Sequence, residues 1–216
     1  MKPVAIGVRI HSGWGSLVGV SGQRNAIEII DRQKVIVIDP KAAGAKQPYH
    51  YAKEIGLQAA EQHLAKCSAQ SEGLAMEALK LIFARFGDRG YAVTGSVIVL
   101  SSARPLPTLA GILASHALIH TAEGEFFRHT FRQVLQRLGV AVTGIRESEL
   151  DDYAQKAFGK ASGTIREKID GMGRILGPPW TQDEKTASLA AAIILAKQET
   201  GVGQHSKVQS AGKRGA

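Results

Sequence analysis

His116, His120 and Glu123 recur at i, i+4 and i+7, a spacing that brings three side chains onto one face of a helix. Two imidazoles and a carboxylate so arranged can take Zn²⁺, Mn²⁺ or Ni²⁺, because imidazole suits transition metals and a carboxylate can complete the shell. The same spacing also serves a polar seam on a helix packed against a sheet, each histidine meeting a backbone or hydroxyl partner. Glu125 and Arg128 continue this polar face and read as a surface ion pair.

Further polar groups fall where chain-end chemistry is common. Ser101, Ser102 and Arg104 follow an apolar run, and their hydroxyls, backbone amides and guanidinium can hold a phosphate or simply form a capping turn. His11, Ser12, Gly13, Trp14 and Gly15 make a glycine-containing hairpin. It can cradle a ligand, with Trp14 stacking on a base, or just turn the chain with Trp14 packed on the sheet. Asp183 and Glu184 open the final apolar helix, a place that favours acids. The segment from Lys46 to Tyr51 holds two tyrosines and His50 in a loop read as an aromatic anchor, and Trp180 reads as a packing plug. Cys67, the single cysteine, has only Lys66 as a basic neighbour and reads as inert.

The elements that must position these groups alternate. Val4 to Ile10, Ser16 to Val20 and Ala26 to Asp39 are β-rich, and the last of these is either one bent strand or two strands with a turn at residues 31 to 34. Tyr51 to Phe86 has helical periodicity, weakened at Gly73, and Tyr91 to Leu100 is an apolar strand of the kind buried on both faces. Thr108 to Leu138 reads as one long helix bent near Gly124, followed by a strand from Val140 to Ile145. Helices are expected over Glu147 to Phe158, Thr164 to Met172 and Asp183 to Lys197.

At 216 residues with 44% apolar content, the chain supports one sizeable core over residues 1–199. From residue 200 the composition predicts a disordered basic tail. The net charge of +8 favours an anionic partner such as DNA or RNA. A lone cysteine excludes an intrachain disulfide and a cysteine-based zinc site. No run reaches membrane-spanning length and the first strand begins without a signal-peptide core, so no membrane partner and a cytoplasmic location are expected.

The order βββ-α-β-α-β-α resembles the ribonuclease H-like superfamily, and within it the RuvC-type Holliday-junction resolvases. The residues that carry the likeness are the strand Val4 to Arg9 with its hairpin, the strand Ser96 to Leu100, the helix ending at Leu138 and Gly139, and Pro178-Pro179 before Asp183 to Ala190. The resemblance implies an α/β fold with a mixed sheet, a three-strand antiparallel meander plus parallel strands, flanked by helices. It also implies that Val93 to Leu100 runs parallel to the first strand inside the sheet, and that His116, His120 and Glu123 share a cleft with Ser101 and Asp183.

Nucleases of that type end the first strand on Asp and the fourth on Glu, and add acids from the last helix to hold two divalent cations. Here those positions fall on Arg9 or His11, and on Ser101 or Ser102, leaving Asp183 and Glu184 roughly in place. Two readings follow. One is a nucleic-acid-associated domain that has lost most of the family's catalytic acids. The other is an enzyme: either a metal-dependent nuclease using Mg²⁺, Mn²⁺ or Zn²⁺ in a rearranged site of His11, His116, His120, Glu123, Asp183 and Glu184, or a phosphate-ligand enzyme built on Ser101, Ser102 and Arg104.

Overall fold

The structure is a computed structural model and describes residues 1–24, 26–101 and 105–211, with side chains described as far as residue 199. Five strands, β1 (Lys2–His11), β2 (Trp14–Gln23), β3 (Ala26–Ile36), β4 (Tyr91–Leu100) and β5 (Val142–Arg146), form one sheet in the order β3-β2-β1-β4-β5. The first three pair antiparallel, whereas β4 runs parallel to β1, and β5 parallel to β4. This is the expected meander with β4 inside the sheet. β3 is one strand, because a register shift opposite Gly19 and Val20 absorbs an extra residue and keeps Asp31 to Lys34 paired.

Helices cover both faces: α1 (Pro48–Ile55), α2 (Leu57–Asp88), α3 (Leu109–Leu113), α4 (His116–Arg137), α5 (Leu150–Phe158), α6 (Ser162–Gly171), α7 (Gly173–Leu176) and α8 (Gln182–Ala211). Alternation along the strands decides which helix goes where. Val4, Ile6, Val8, Leu17 and Ile98 pack with Phe86 of α2 and with Phe127 and Phe131 of α4. Ala5, Val18, Val20, Val97 and Val99 face α5, α6 and α8 instead. Full burial of the three phenylalanines is each worth roughly 1.5 to 3 kcal/mol against exposure.

Two expected helices are broken where the backbone requires it. The stretch from Tyr51 to Phe86 divides at Gly56, whose φ of 82° lies in the region that glycine alone enters cheaply. The stretch from Thr108 divides at Ser115, which is extended at φ −129° and ψ 118°. Gly124 lies within continuous α4 and does not mark the break. Its missing side chain makes room for Arg128, whose Nη2 would lie 2.8 Å from a Cβ placed there. The Arg128 to Glu125 contact of 2.8 Å is therefore a largely buried ion pair rather than a surface one, with Arg128 only 6% exposed.

Gly7 sets how closely α8 approaches the sheet. A Cβ there would stand 1.9 Å from the Ala187 carbonyl oxygen, so α8 reaches β1 only because position 7 is glycine. Gln198 fixes the other end of this contact, donating to the Thr94 carbonyl at 2.9 Å and accepting from the Thr94 hydroxyl at 2.7 Å. α8 continues to Ala211, into the residues read from composition as the tail. Among the described residues no helix is long and apolar enough to cross a membrane.

Candidate functional site

Ala5, Gly7, Arg9 and His11 alternate onto the α8 face of β1, and Asp183 lies one helical turn before Ala187 on α8. Backbone geometry therefore brings Asp183 to the carboxyl end of β1. Its Oδ2 lies 2.8 Å from His11 Nε2, and its Oδ1 lies 3.8 Å from Arg9 Nε. Arg9 Nη2 also reaches Glu147 Oε2 at 2.8 Å. Glu147 follows immediately on β5, so one guanidinium joins the last helix to the end of the last strand.

Glu184 is held beside this group. Ser16, the cross-strand partner of Arg9, donates its hydroxyl to Glu184 Oε1 at 3.1 Å. The Thr181 amide and hydroxyl donate to Glu184 Oε2 at 2.7 and 2.5 Å. Burial pushes the Glu184 carboxyl up, but the Thr181 hydroxyl and backbone donors and the Ser16 hydroxyl outweigh it and hold the group below the usual carboxylate range. Both oxygens are thus occupied by donors.

An anchored loop delivers Asp183 and Glu184. The Arg32 guanidinium donates to the carbonyls of Leu176 at 2.7 Å and Gly177 at 2.9 Å, and also to that of Pro179. Trp180 donates its indole N–H to the Ile169 carbonyl at 2.8 Å and packs on the α8 core, which is the packing role read from sequence. Trp14 is half-buried rather than packed into the sheet: His11 stacks on it at 4.3 Å and Lys34 lies 4.1 Å from its ring centroid. Trp14, Lys34, Asp183 and Glu184 line one cavity of about 510 Å³.

The remaining expected site residues are dispersed. Ser12 sits half-buried in the hairpin turn beside His11. Ser101 is exposed and lines a cavity with Arg146 and Glu147. Ser102 and Arg104 lie outside the described residues. His116 and His120 are exposed on α4, on the sheet face opposite α8, and they do not share the Asp183 cavity. The crossover through α4 places that helix on the face away from α8, so one common cleft is not formed.

Glu123 does not join His116 and His120. It is 3% exposed, and its Oε1 accepts from the Tyr49 and His50 amides at 3.0 and 3.1 Å and lies 3.0 Å from His50 Nδ1. The carboxylate therefore caps the start of α1, where the helix dipole favours negative charge. His50 takes the place that the i, i+7 spacing had suggested for Glu123. Tyr49 meets Phe126 edge-on at 6.3 Å, so the anchoring role of that segment holds, although it is helix rather than loop from Pro48. Cys67 is buried 3.4 Å from His63, and burial raises its thiol, consistent with an inert residue.

Two residues of these groups carry no signal of their place in the sequence. Glu147 was read only as a helix start, although its place directly after the last parallel strand marks the sheet's carboxyl edge. His50 was read as part of an anchor, and no local spacing links it to residues 116 and 120.

The group at the sheet end does not fit a pair of Mg²⁺ ions. Such ions need several hard oxygen ligands in octahedral geometry. Here a guanidinium stands between Glu147 and Asp183, and the Glu184 oxygens are committed to Ser16 and Thr181. What the group does offer is Arg9 and His11, both held by Asp183, beside a ring that carries a lysine.

No protein-family model matches the sequence, and no curated protein matches it. Among solved structures, Thermus thermophilus RuvC in complex with a Holliday junction substrate aligns at a TM-score of 0.50 and 12% identity, covering 92% of this chain and 96% of that one. A further Thermus thermophilus RuvC structure aligns at 0.50 and 11% identity over the same shares. An Aquifex aeolicus member of the Ppx/GppA family aligns at 0.35 and 13% identity, over 74% of this chain and 40% of that one. At these identities the likeness is one of fold, and the fold is the ribonuclease H-like sheet of the RuvC structures.

Proposed function

We propose that this ribonuclease H-like protein associates with nucleic acid at the carboxyl end of its sheet and does not cut it by two-metal hydrolysis. The observation that carries the reading is the Arg9 guanidinium, 2.8 Å from Glu147 and 3.8 Å from Asp183. A guanidinium there offsets part of the carboxylates' charge and opposes a divalent ion in the same space. The family's catalytic acids are in this reading largely lost, and Asp183 and Glu184 serve to organise Arg9, His11 and Ser16.

Three features support nucleic acid as the partner. The fold neighbour from Thermus thermophilus was solved with a Holliday junction substrate. The chain carries a net charge of +8, suited to phosphate. Trp14, with His11 and Lys34 both against its ring, holds Lys34 at the wall of the cavity, where its ammonium can meet a phosphate.

The enzyme alternatives gain no such support. The histidine, glutamate and aspartate set is divided between separate cavities, and of the phosphate-ligand set Ser101, Ser102 and Arg104 only Ser101 is among the described residues, exposed and away from the Asp183 cavity. The test is titration of labelled four-way junction, duplex and single-stranded DNA and of RNA with the full chain, in chelator and at low salt. Binding that weakens steeply as salt rises, and weakens again in Trp14→Ala, is the expected result. Undetectable binding to every form at low salt would refute the proposal.

A further inference from the structure

His50 near the start of α1 and His116 and His120 at the start of α4 converge, although they come from two distant segments. One nitrogen from each ring lies within 4.8 Å of the other two, and the Nε2 atoms of His116 and His120 are 3.0 Å apart. The rings meet edge to face, with centroids 4.5 to 5.5 Å apart. Metal–imidazole bonds of about 2.0 to 2.1 Å in a tetrahedral shell put ligand nitrogens roughly 3.3 Å apart. The cluster is therefore within small side-chain rotations of a three-histidine shell.

The surroundings add a second observation. Glu123 is almost wholly buried and meets His50 Nδ1 at 3.0 Å. A carboxylate accepting the Nδ1–H leaves Nε2 with its lone pair free, the tautomer and orientation that metal-bound histidines adopt. Its negative charge also offsets a cation placed at the positive ends of α1 and α4. His50 and His116 line a cavity of about 450 Å³, with Gln47 and Glu54 on its wall, which gives an ion a route in and leaves room for water.

We propose that His50, His116 and His120 bind one transition-metal ion of the Zn²⁺ class, with Glu123 positioning His50 and a fourth coordination position open to the cavity. The site is separate from the Arg9 and Asp183 group and stands or falls independently of nucleic-acid binding. Three imidazoles favour Zn²⁺ or Co²⁺ over Mg²⁺ or Ca²⁺, which select oxygen ligands.

The test uses the untagged full chain, stripped with chelator and titrated with Zn²⁺ by calorimetry and with Co²⁺ by visible absorption. The expected result is saturation at one equivalent, a tetrahedral Co²⁺ spectrum and a higher melting temperature with Zn²⁺. Glu123→Gln should weaken binding about 10- to 100-fold. Because Glu123 also caps α1, the exposed variants His116→Ala and His120→Ala decide the matter: each should fold normally and lose more affinity than Glu123→Gln, whereas His11→Ala should bind as wild type does. Absence of one-equivalent binding, or binding unchanged in both exposed variants, would overturn the proposal.

Discussion

The Arg9 guanidinium lies 2.8 Å from the Glu147 carboxylate, joining the end of β1 to the residue that follows β5. With Asp183 at 3.8 Å, it puts a positive charge between two carboxylates at the carboxyl end of the sheet.

Arg9→Asp tests that relationship. The variant places a third carboxylate beside Glu147 and Asp183, and like charges in contact should destabilise the fold by about 1 to 3 kcal/mol. Mg²⁺ or Mn²⁺ should restore part of that stability in the variant and leave the wild type unchanged, as read from melting temperatures with and without the ion. Equal responses to the ion would mean that Arg9 does not stand in for a cation.

Glu184 predicts a pH dependence. Its folded carboxyl is held below its ordinary value, so its donors stabilise the fold fully above the unfolded carboxyl range and lose that contribution as pH falls through the lower, folded value. Denaturation curves of wild type and Glu184→Gln should therefore differ near neutrality and converge in acid. A gap that widens on acidification would reverse the sign and contradict the assignment.

Gly7→Ala should lower stability by about 1 to 3 kcal/mol or more, because the added methyl meets the Ala187 carbonyl oxygen and must push α8 from β1. Displacing α8 also separates Asp183 from His11, so nucleic-acid binding should fall together with stability. Urea denaturation measures the first effect, and a wild-type midpoint would show that α8 docks elsewhere.

Arg32→Ala should cost about 1.5 to 3 kcal/mol, the range for hydrogen bonds from a charged group, because several carbonyls of the loop before α8 share its guanidinium. Hydrogen exchange should rise over residues 176–181 and leave β1 and β4 protected. Uniform loosening of the sheet would argue against a local anchor.

The sheet was legible in the sequence because its signals are local. The apolar run from Tyr91 to Leu100 marks a strand covered on both faces, and Gly7 lies within a strand pattern where a close backbone approach is a standard reason for glycine. The helix breaks were harder: Ser115 carries no strong stop signal, whereas Gly124, which suggests a bend, lies inside continuous α4 and is explained by a side chain folded over it. Partner choice was hardest of all. The i, i+4 spacing put His116 and His120 together, but Glu123 turned inward to cap α1 and His50 arrived from another segment. His11 and Asp183, 172 residues apart, meet only because α8 crosses β1 at Gly7.

The most direct test of the central claim is incubation of the wild-type chain with labelled four-way junction and duplex DNA in chelator, Mg²⁺ and Mn²⁺, scoring bound fraction and strand cleavage in the same samples. The account predicts equal binding in chelator and metal at matched ionic strength, with no cleavage under any condition. Metal-dependent cleavage by the wild type that is lost in Asp183→Asn would contradict it, because Arg9 would then share its site with a working metal centre.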